Sequence, residues 1–231
     1  MAKSDNTTPH AAAEYDKSVR QTIPYYEIIQ SETVDLVSTI KPAVNCWLDT
    51  GCGTGYLVAI ALPHFPQTLF ILTDPSGPML QQAMNRLHDI PEKRVKYLPP
   101  TPSESLNIYQ DEIHPQVITA ILSHHYLQKP QRFQATQTCY RLLDEDGVFI
   151  TVENVAPVTQ QGVALGLDRW QRFQVEHGRS KAAAEEHARR FNAAYFPISI
   201  EEHLNLLRET GFKRIDLFWM SYMQAGFYAV K

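Results

Sequence analysis

The 231-residue sequence predicts one α/β domain built on a mostly parallel seven-stranded sheet whose last two strands run antiparallel. Three observations predict it. Residues 45–55 read as a buried strand breaking into a glycine-rich turn, with a helix starting at Tyr56. A second apolar strand, residues 69–73, ends in Asp74, about twenty residues beyond the turn. Strands and helices then alternate up to Val152, with the handedness of right-handed crossovers, before a helical stretch and two closing strands. A hydrophobic content of 44% is ample for one large core, so no second domain is needed. The organisation expected is a helical lid over residues 1–43, a ligand-binding core over 44–155, a helical insert over 156–211 and closing strands over 212–231.

Residues 1 to about 10 are polar and expected to fray. Tyr15, Val19, Ile23, Tyr26 and Ile29 recur at helical spacing, interrupted by Pro24, which ends one helix and sits in the first turn of the next. The second helix continues through residues 32–40 until Lys41-Pro42 stops it ahead of the central strand. This pair is either a packing layer or a lid with Tyr15, Arg20, Tyr25 or Tyr26 facing a ligand. Ser76 caps a helix over 78–88, with Met79, Met84 and Leu87 on one face. Strands follow at 95–98 and 117–122, and the latter delivers Ser123, His124, His125 and Tyr126 to the carboxyl edge of the sheet. A helix over 131–143 and a strand over 148–152 flank the turn Glu145-Asp146-Gly147. In the insert, Arg169, Arg172, Arg179, Lys181, Arg189 and Arg190 accompany Trp170 and Phe173, the pattern of a solvated face. Ser199 and Glu202 form a capping box for a helix that carries Leu204, Leu206 and Leu207 and ends at Gly211; strands 215–220 and 226–230 complete the sheet.

The default ligand site is the crevice at the carboxyl end of the first strand, where Gly51, Gly53 and Gly55 let the backbone approach a ligand and the free amides of the following helix point inward. A dinucleotide fingerprint needs a small residue at position 56, and Tyr56 makes pyrophosphate the weaker reading. Asp49 can accept from the turn's amides or from a cationic ligand group, and Asp74 can take both ribose hydroxyls. The run Leu48-Asp49-Thr50-Gly51-Cys52-Gly53-Thr54-Gly55, with Thr73-Asp74-Pro75-Ser76 and Met79, resembles the class I S-adenosylmethionine-dependent methyltransferases. That resemblance implies the Rossmann-like class I fold and S-adenosylmethionine as cofactor. The cofactor-binding residues it implies are Asp49, Gly51, Cys52, Gly53, Gly55, Asp74, Pro75, Met79 and Ser123, with Tyr15 and Arg20 from the lid. The loop Pro99-Pro100-Thr101-Pro102-Ser103 departs from the pattern, since an acid commonly holds the adenine amino group there.

The last third narrows the resemblance. Gln171-Arg172-Phe173, Gly178-Arg179-Ser180, His203, Leu207, Gly211-Phe212, Trp219, Gly226, Ala229 and Lys231 resemble the carboxy-S-adenosylmethionine synthase family of tRNA wobble-uridine modification, as do Arg20, Pro24 and Tyr26. The resemblance implies a shared fold and a homodimer formed through the helical insert. Where that family has an arginine that binds the cofactor's added carboxylate, this chain has Ala188, with Arg189 and Arg190 next; one residue along a helix turns a side chain by roughly 100°.

Paired histidines invite a metal reading, but adjacent residues diverge in direction and no Cys, Asp or Glu lies near at ligand spacing, so no metal is expected. His124 or His125 is either a general base acting on substrate or a capped loop histidine. Tyr26, Arg189, Arg190 and Tyr195 are candidates for the substrate wall. A net charge of −4 and a pI near 6.1 give no general attraction to nucleic acid. Cys46, Cys52 and Cys139 are odd in number and lack C-x-x-C spacing, which favours reduced thiols in a cytoplasmic protein. No apolar run approaches a membrane span and the amino terminus lacks a signal-peptide core. The expected function is an S-adenosylmethionine-dependent methyltransferase with a small-molecule acceptor. The alternatives are a carboxy-S-adenosylmethionine synthase-like enzyme and a non-catalytic protein that binds the cofactor.

Overall fold

The computed structural model describes residues 8–108 and 114–231. The expectation of fraying at the amino terminus therefore falls, for residues 1–7, outside the described residues. After a short 3-10 turn at Ala12–Glu14 come α1 (Tyr15–Thr22) and α2 (Tyr26–Ile40). Pro24 lies in the turn between them rather than in the first turn of α2, whose N-cap is Tyr25 in a left-handed conformation at φ 56°. The helix ends at Ile40 because Lys41 precedes Pro42 and is pushed out of the helical region, to φ −136°.

The strands are β1 (Cys46–Thr50), β2 (Leu69–Thr73), β3 (Val95–Tyr97), β4 (Val117–Ile121), β5 (Val148–Asn154), β6 (Arg214–Ser221) and β7 (Gln224–Val230). Their order in the sheet is β3-β2-β1-β4-β5-β7-β6. Pairing is parallel from β3 to β5 and antiparallel where β7 enters between β5 and β6. The strand order reverses between β1 and β4, so the two crossovers leave in opposite directions and open a crevice at their carboxyl ends. Strand β5 runs two residues beyond the predicted end, and Glu153 pairs in register with Ala225 of β7.

Both faces of the sheet are covered, which is why β1 is buried throughout. On one face α2, α3 (Tyr56–Ala61) and α4 (Gly77–Arg86) pack on Trp47, Phe65 and Phe70. On the other, α5 (Lys129–Leu142) and α8 (Ile200–Thr210) pack on Leu48, Phe149 and Phe227. Burying a side chain of this size stabilises by about 1.5–3 kcal/mol each. The capping box of Ser199 and Glu202 starts α8, and Gly211 at φ 117° ends it. Within the predicted insert, then, α8 is a layer of the core, while α6 (Gln160–Glu176) and α7 (Lys181–Arg189) stand at the carboxyl edge with the lid. There Val19, Ile23, Tyr26 and Ile29 share a third apolar cluster with Leu122, Trp170, Tyr195 and Met223. Trp170 Nε1 donates to Thr22 O at 2.6 Å and ties α6 to α1. The two helices of the amino terminus are thus packed over the carboxyl edge of the sheet.

Candidate active site

The glycine turn is held by β2. Gly51 N and Cys52 N donate to Thr73 O at 2.8 and 3.0 Å, and Gly53 N donates to Asp74 Oδ2 at 2.9 Å. Asp74 Oδ1 takes Ser76 N at 2.8 Å, so the acid bridges the turn to the start of α4, whose cap Ser76 accepts from Met79 N. Of the two roles expected for Asp49, this removes acceptance from the turn's amides. None of these amides reaches it; its Oδ1 accepts from Thr119 Oγ1 at 2.7 Å, and Trp47 Nε1 donates to the same hydroxyl. Burial raises the pKa of Asp49 to about 7, against the lowering effect of the Thr119 bond. Burial raises that of Asp74 as well, opposed by its two amide bonds.

Between turn and lid lies a crevice walled by Tyr15, Tyr26, Gln30, Asp49, Cys52 and Tyr56 along with Gly51, Gly53 and Thr54. Tested against S-adenosylmethionine, its residues fit. Gln30 Oε1 and Ser123 Oγ are buried with no hydrogen-bond partner. A Cβ on Gly51 would meet Ser123 Cβ at 2.6 Å, and φ at Gly51 is 72°, whereas a Cβ on Gly53 would meet nothing within 4 Å. The backbone at Gly53 is therefore open to a ligand. Asp49 and Gln30 present oxygen acceptors suited to an ammonium group, and Asp74 offers a second carboxylate at the edge of the turn.

The lid closes over this crevice. Asp16 Oδ1 accepts from Thr54 Oγ1 at 2.7 Å, and Asp16 Oδ2 pairs with Arg86 of α4. Tyr15 reaches inside, and its hydroxyl is held protonated by burial and by nearby Tyr26, Tyr126 and Asp74. Arg20 does not enter. Its guanidinium turns outward to Glu27 Oε1 at 2.9 Å and lies over the Tyr56 ring at 5.1 Å, because on a short helix residues 15 and 20 diverge. Pro75 is exposed and Met79 is buried beneath the Ser76 cap, and neither lines the crevice.

Beyond Tyr15 is a second, narrow cavity, reached from the amino-terminal helices by His10, Val19 and Thr22, from the end of β4 by Leu122, His125 and Tyr126, and from the insert by His187, Arg190 and Tyr195. Tyr15 lines both spaces. Leu122, just past the end of β4 and lining the second cavity, is held at φ 56°, a conformation uncommon for a residue other than glycine. Tyr195 is buried and its hydroxyl has no partner.

The structure separates the candidates that stood side by side in the sequence. His125 lines the second cavity, whereas His124 turns the other way and stacks on Phe149 with ring centroids 6.1 Å apart. Burial lowers the pKa of His124 to about 4, so it is a neutral core residue. Arg190 lines the cavity, but Arg189 points to solvent and pairs with Glu186 at 2.8 Å. Tyr26, expected at the substrate, lines the cofactor crevice instead. Ala188 is half-buried. Sequence reasoning missed Gln30, an amide within an otherwise helical pattern, and Glu153. The latter did leave a signal, an acid directly after an apolar strand, as at Asp49 and Asp74.

Glu153 is fully buried and accepts four bonds: His124 N at 3.1 Å, His125 N at 2.8 Å, His125 Nδ1 at 2.7 Å and Thr151 Oγ1 at 2.6 Å. Burial alone would raise its pKa; the bond and charge of His125 outweigh this and hold it at about 2.

Residues 48–149 match a family described as a methyltransferase domain. The chain has the class I methyltransferase fold. It overlays an O-methyltransferase family protein from Burkholderia thailandensis with a TM-score of 0.65 and 14% identity, covering 96% of this chain and 59% of that one. It also overlays the N-methyltransferase NodS from Bradyrhizobium japonicum WM9, in complex with S-adenosylhomocysteine, with a TM-score of 0.63 and 12% identity over 95% and 97% of the two chains. The chain thus spans about three fifths of the first of these and nearly all of the second. In sequence it is 24% identical over 218 residues to a carboxy-S-adenosyl-L-methionine synthase of Helicobacter hepaticus, covering 91% of this chain and 89% of the relative. A protein of the same description from Staphylococcus epidermidis is 24% identical over 232 residues, 99% and 96% of the two chains.

Proposed function

We propose that the protein is an S-adenosylmethionine-dependent methyltransferase acting on a small-molecule acceptor in the second cavity. The observation that carries this reading is the paired arrangement itself: a glycine-turn crevice with orphaned acceptors beside a second, smaller space, with Tyr15 lining both. Asp49, Gln30, Gly53, Asp74 and Ser123 would hold the cofactor. When bound, S-adenosylmethionine supplies an electrophilic methyl group. The chain's own contribution is to position the reactants and keep water out: Tyr15 lines both spaces, and Asp16 ties the amino-terminal helices to the glycine turn.

A second reading, a carboxy-S-adenosylmethionine synthase-like enzyme, is favoured by the relatives of that description, which align over nearly the whole chain. Against it stand Ala188 at the position of the carboxylate-binding arginine and the outward turn of Arg189. We further propose a cytoplasmic homodimer. Support for the dimer is the apolar surface of the insert, where Val158, Leu165 and Val175 are exposed, and support for the compartment is three buried free thiols. Among the described residues no helix is long and apolar enough to cross a membrane.

Transfer of labelled methyl from S-adenosylmethionine to a small-molecule fraction, with stoichiometric S-adenosylhomocysteine, tests the function. Tight binding without transfer would leave a non-catalytic cofactor-binding protein, and a carboxylated sulfonium product would establish the second reading.

A further inference from the structure

We propose that the groove between α5 and α8 is a binding site for a single apolar α-amino acid, taken up as its zwitterion. The groove is distinct from the crevice and the narrow cavity, and the proposal does not depend on the methyltransferase reading. It offers room of about 240 Å³, that of about eight water molecules, which suits one small molecule. Its apolar floor is Phe133 of α5, Ile198 ahead of α8 and Leu206 of α8. Lys129, Arg132 and Glu202 line it from the first turns of the two helices.

Arg132 is the residue that points to a ligand. It is 2% exposed, yet only part of its guanidinium is used: Nε donates to His124 O at 3.1 Å, and Nη2 donates to Leu127 O at 3.0 Å and to Phe196 O. Nη1 has no acceptor among the described residues, and Arg132 lines the groove, so a buried cation keeps an unused donor there. Lys129 adds a second cation, with no ion pair among the described residues. Glu202 supplies the opposite sign. Its Oε2 accepts from Ser199 N and Ser199 Oγ, and its Oε1 has no partner. The bonds from Ser199, and then the charge of Lys129, hold the Glu202 carboxyl below the usual carboxylate range. Burial lowers the pKa of Arg132, and the charges of Glu153 and Glu202 oppose it, so Lys129, Arg132 and Glu202 are electrostatic neighbours.

The class of ligand follows from this arrangement. Charges of both signs lie together with an apolar floor beside them, and an α-amino acid carries its ammonium and carboxylate on one carbon with the side chain leading away. The carboxylate accepts from Arg132 Nη1 and Lys129, the ammonium donates to Glu202 Oε1, and the side chain covers Phe133, Ile198 and Leu206. A fatty acid would leave Glu202 without a partner, and an alkylamine would leave both cations so. Glu209, in the last turn of α8, also lines the groove and repels a second carboxylate, which disfavours acidic side chains. The site is tied to the end of β4. Arg132 holds the carbonyls of His124 and Leu127, and between them His125 and Tyr126 line the narrow cavity, so an occupant of the groove bears on that turn.

The test is calorimetry on the full chain, with and without S-adenosylhomocysteine, whose own amino-acid head would occupy the cofactor crevice. L-leucine, L-methionine and L-phenylalanine are titrated beside 3-methylbutylamine and 4-methylpentanoate, which each lack one charge of leucine, and beside glycine and L-glutamate. At least one apolar amino acid is expected to bind with a Kd of about 1 mM or tighter, and the single-charge analogues, glycine and glutamate at least about tenfold more weakly. S-adenosylhomocysteine should leave this affinity unchanged. Glu202→Gln keeps the capping box through its amide oxygen while removing the charge, and it and Lys129→Met should each weaken binding by about tenfold. Leu206→Trp, which fills the groove, should abolish it. In nitrogen-15 spectra of the wild type, amide shifts on binding should cluster at residues 124–133 and 198–209. Should Leu206→Trp fail to fold, Glu202→Gln and this shift map carry the test. No apolar amino acid bound at about 10 mM, a single-charge analogue bound as tightly as leucine, or wild-type affinity in both Glu202→Gln and Lys129→Met would overturn the proposal. Competition with S-adenosylhomocysteine, or shifts confined to the glycine turn, would overturn it by moving the amino acid to the cofactor crevice.

Discussion

Asp16 of the lid accepts from the hydroxyl of Thr54, a residue of the glycine turn, at 2.7 Å, and so joins the first helix of the chain to the loop that would hold a ligand. Its second oxygen meets Arg86, whose Nε also donates to Thr54 O at 2.8 Å. Asp16→Ala is expected to raise the dissociation rate of S-adenosylmethionine several-fold in stopped-flow displacement. Because Asp16 and Arg86 are each about a third exposed, the loss of folding stability should stay within about 1 kcal/mol. An unchanged dissociation rate would mean that the lid is not the gate.

Binding should be linked to a proton at Asp49. Its folded pKa, about 7, lies above the ordinary carboxylate value because burial disfavours the charge. Between about pH 4 and 7 the folded state therefore holds more protons than the unfolded one, and this group's contribution to stability falls as pH rises through that window. A ligand ammonium beside Asp49 favours the ionised form. Titration of S-adenosylmethionine near pH 6.5 in buffers of different ionisation enthalpy is expected to show release of up to about one proton, absent in Asp49→Asn. Heats independent of buffer in the wild type would contradict an ammonium contact at Asp49.

The two enzyme readings separate on a single carboxylate. A carboxylate bound in a closed site needs a charge-assisted partner, since an unpaired buried charge costs several kcal/mol. With Arg189 paired to Glu186, ordinary S-adenosylmethionine should bind at least as tightly as its carboxylated form in direct competition. A tenfold preference for the carboxylated form, about 1.4 kcal/mol, would favour the synthase-like reading. Its disappearance in Arg190→Ala would assign the contact to the second cavity.

What was legible in the sequence was local. The glycine turn, the acid ending β2, the cap at Ser76 and the capping box at Ser199 depend on residues close together in the chain, and each stands as read. The choice between neighbours was not legible. Residues 124 and 125 lie on a 3-10 turn that sends one ring to the core and the other to the cavity, and residues 189 and 190 lie where one step along a helix turns a side chain by roughly 100°. Only packing from other elements decides between them. Glu153 was lost because β5 outruns its apolar run by two residues, held there by pairing with β7 from seventy residues away, a partnership no local pattern announces.

The most direct measurement of the central claim, that the crevice at the glycine turn holds S-adenosylmethionine, is calorimetric affinity for wild type against Asp74→Ala. Asp74 accepts from Gly53 N and Ser76 N, so its loss removes charged hydrogen bonds to the turn as well as those it would make to a bound ribose. Bonds of this kind contribute about 1.5–3 kcal/mol, and the expected result is a cofactor weakened by about 10- to 100-fold in a variant that remains folded. Equal affinity in the two proteins would contradict the account and move the binding site elsewhere.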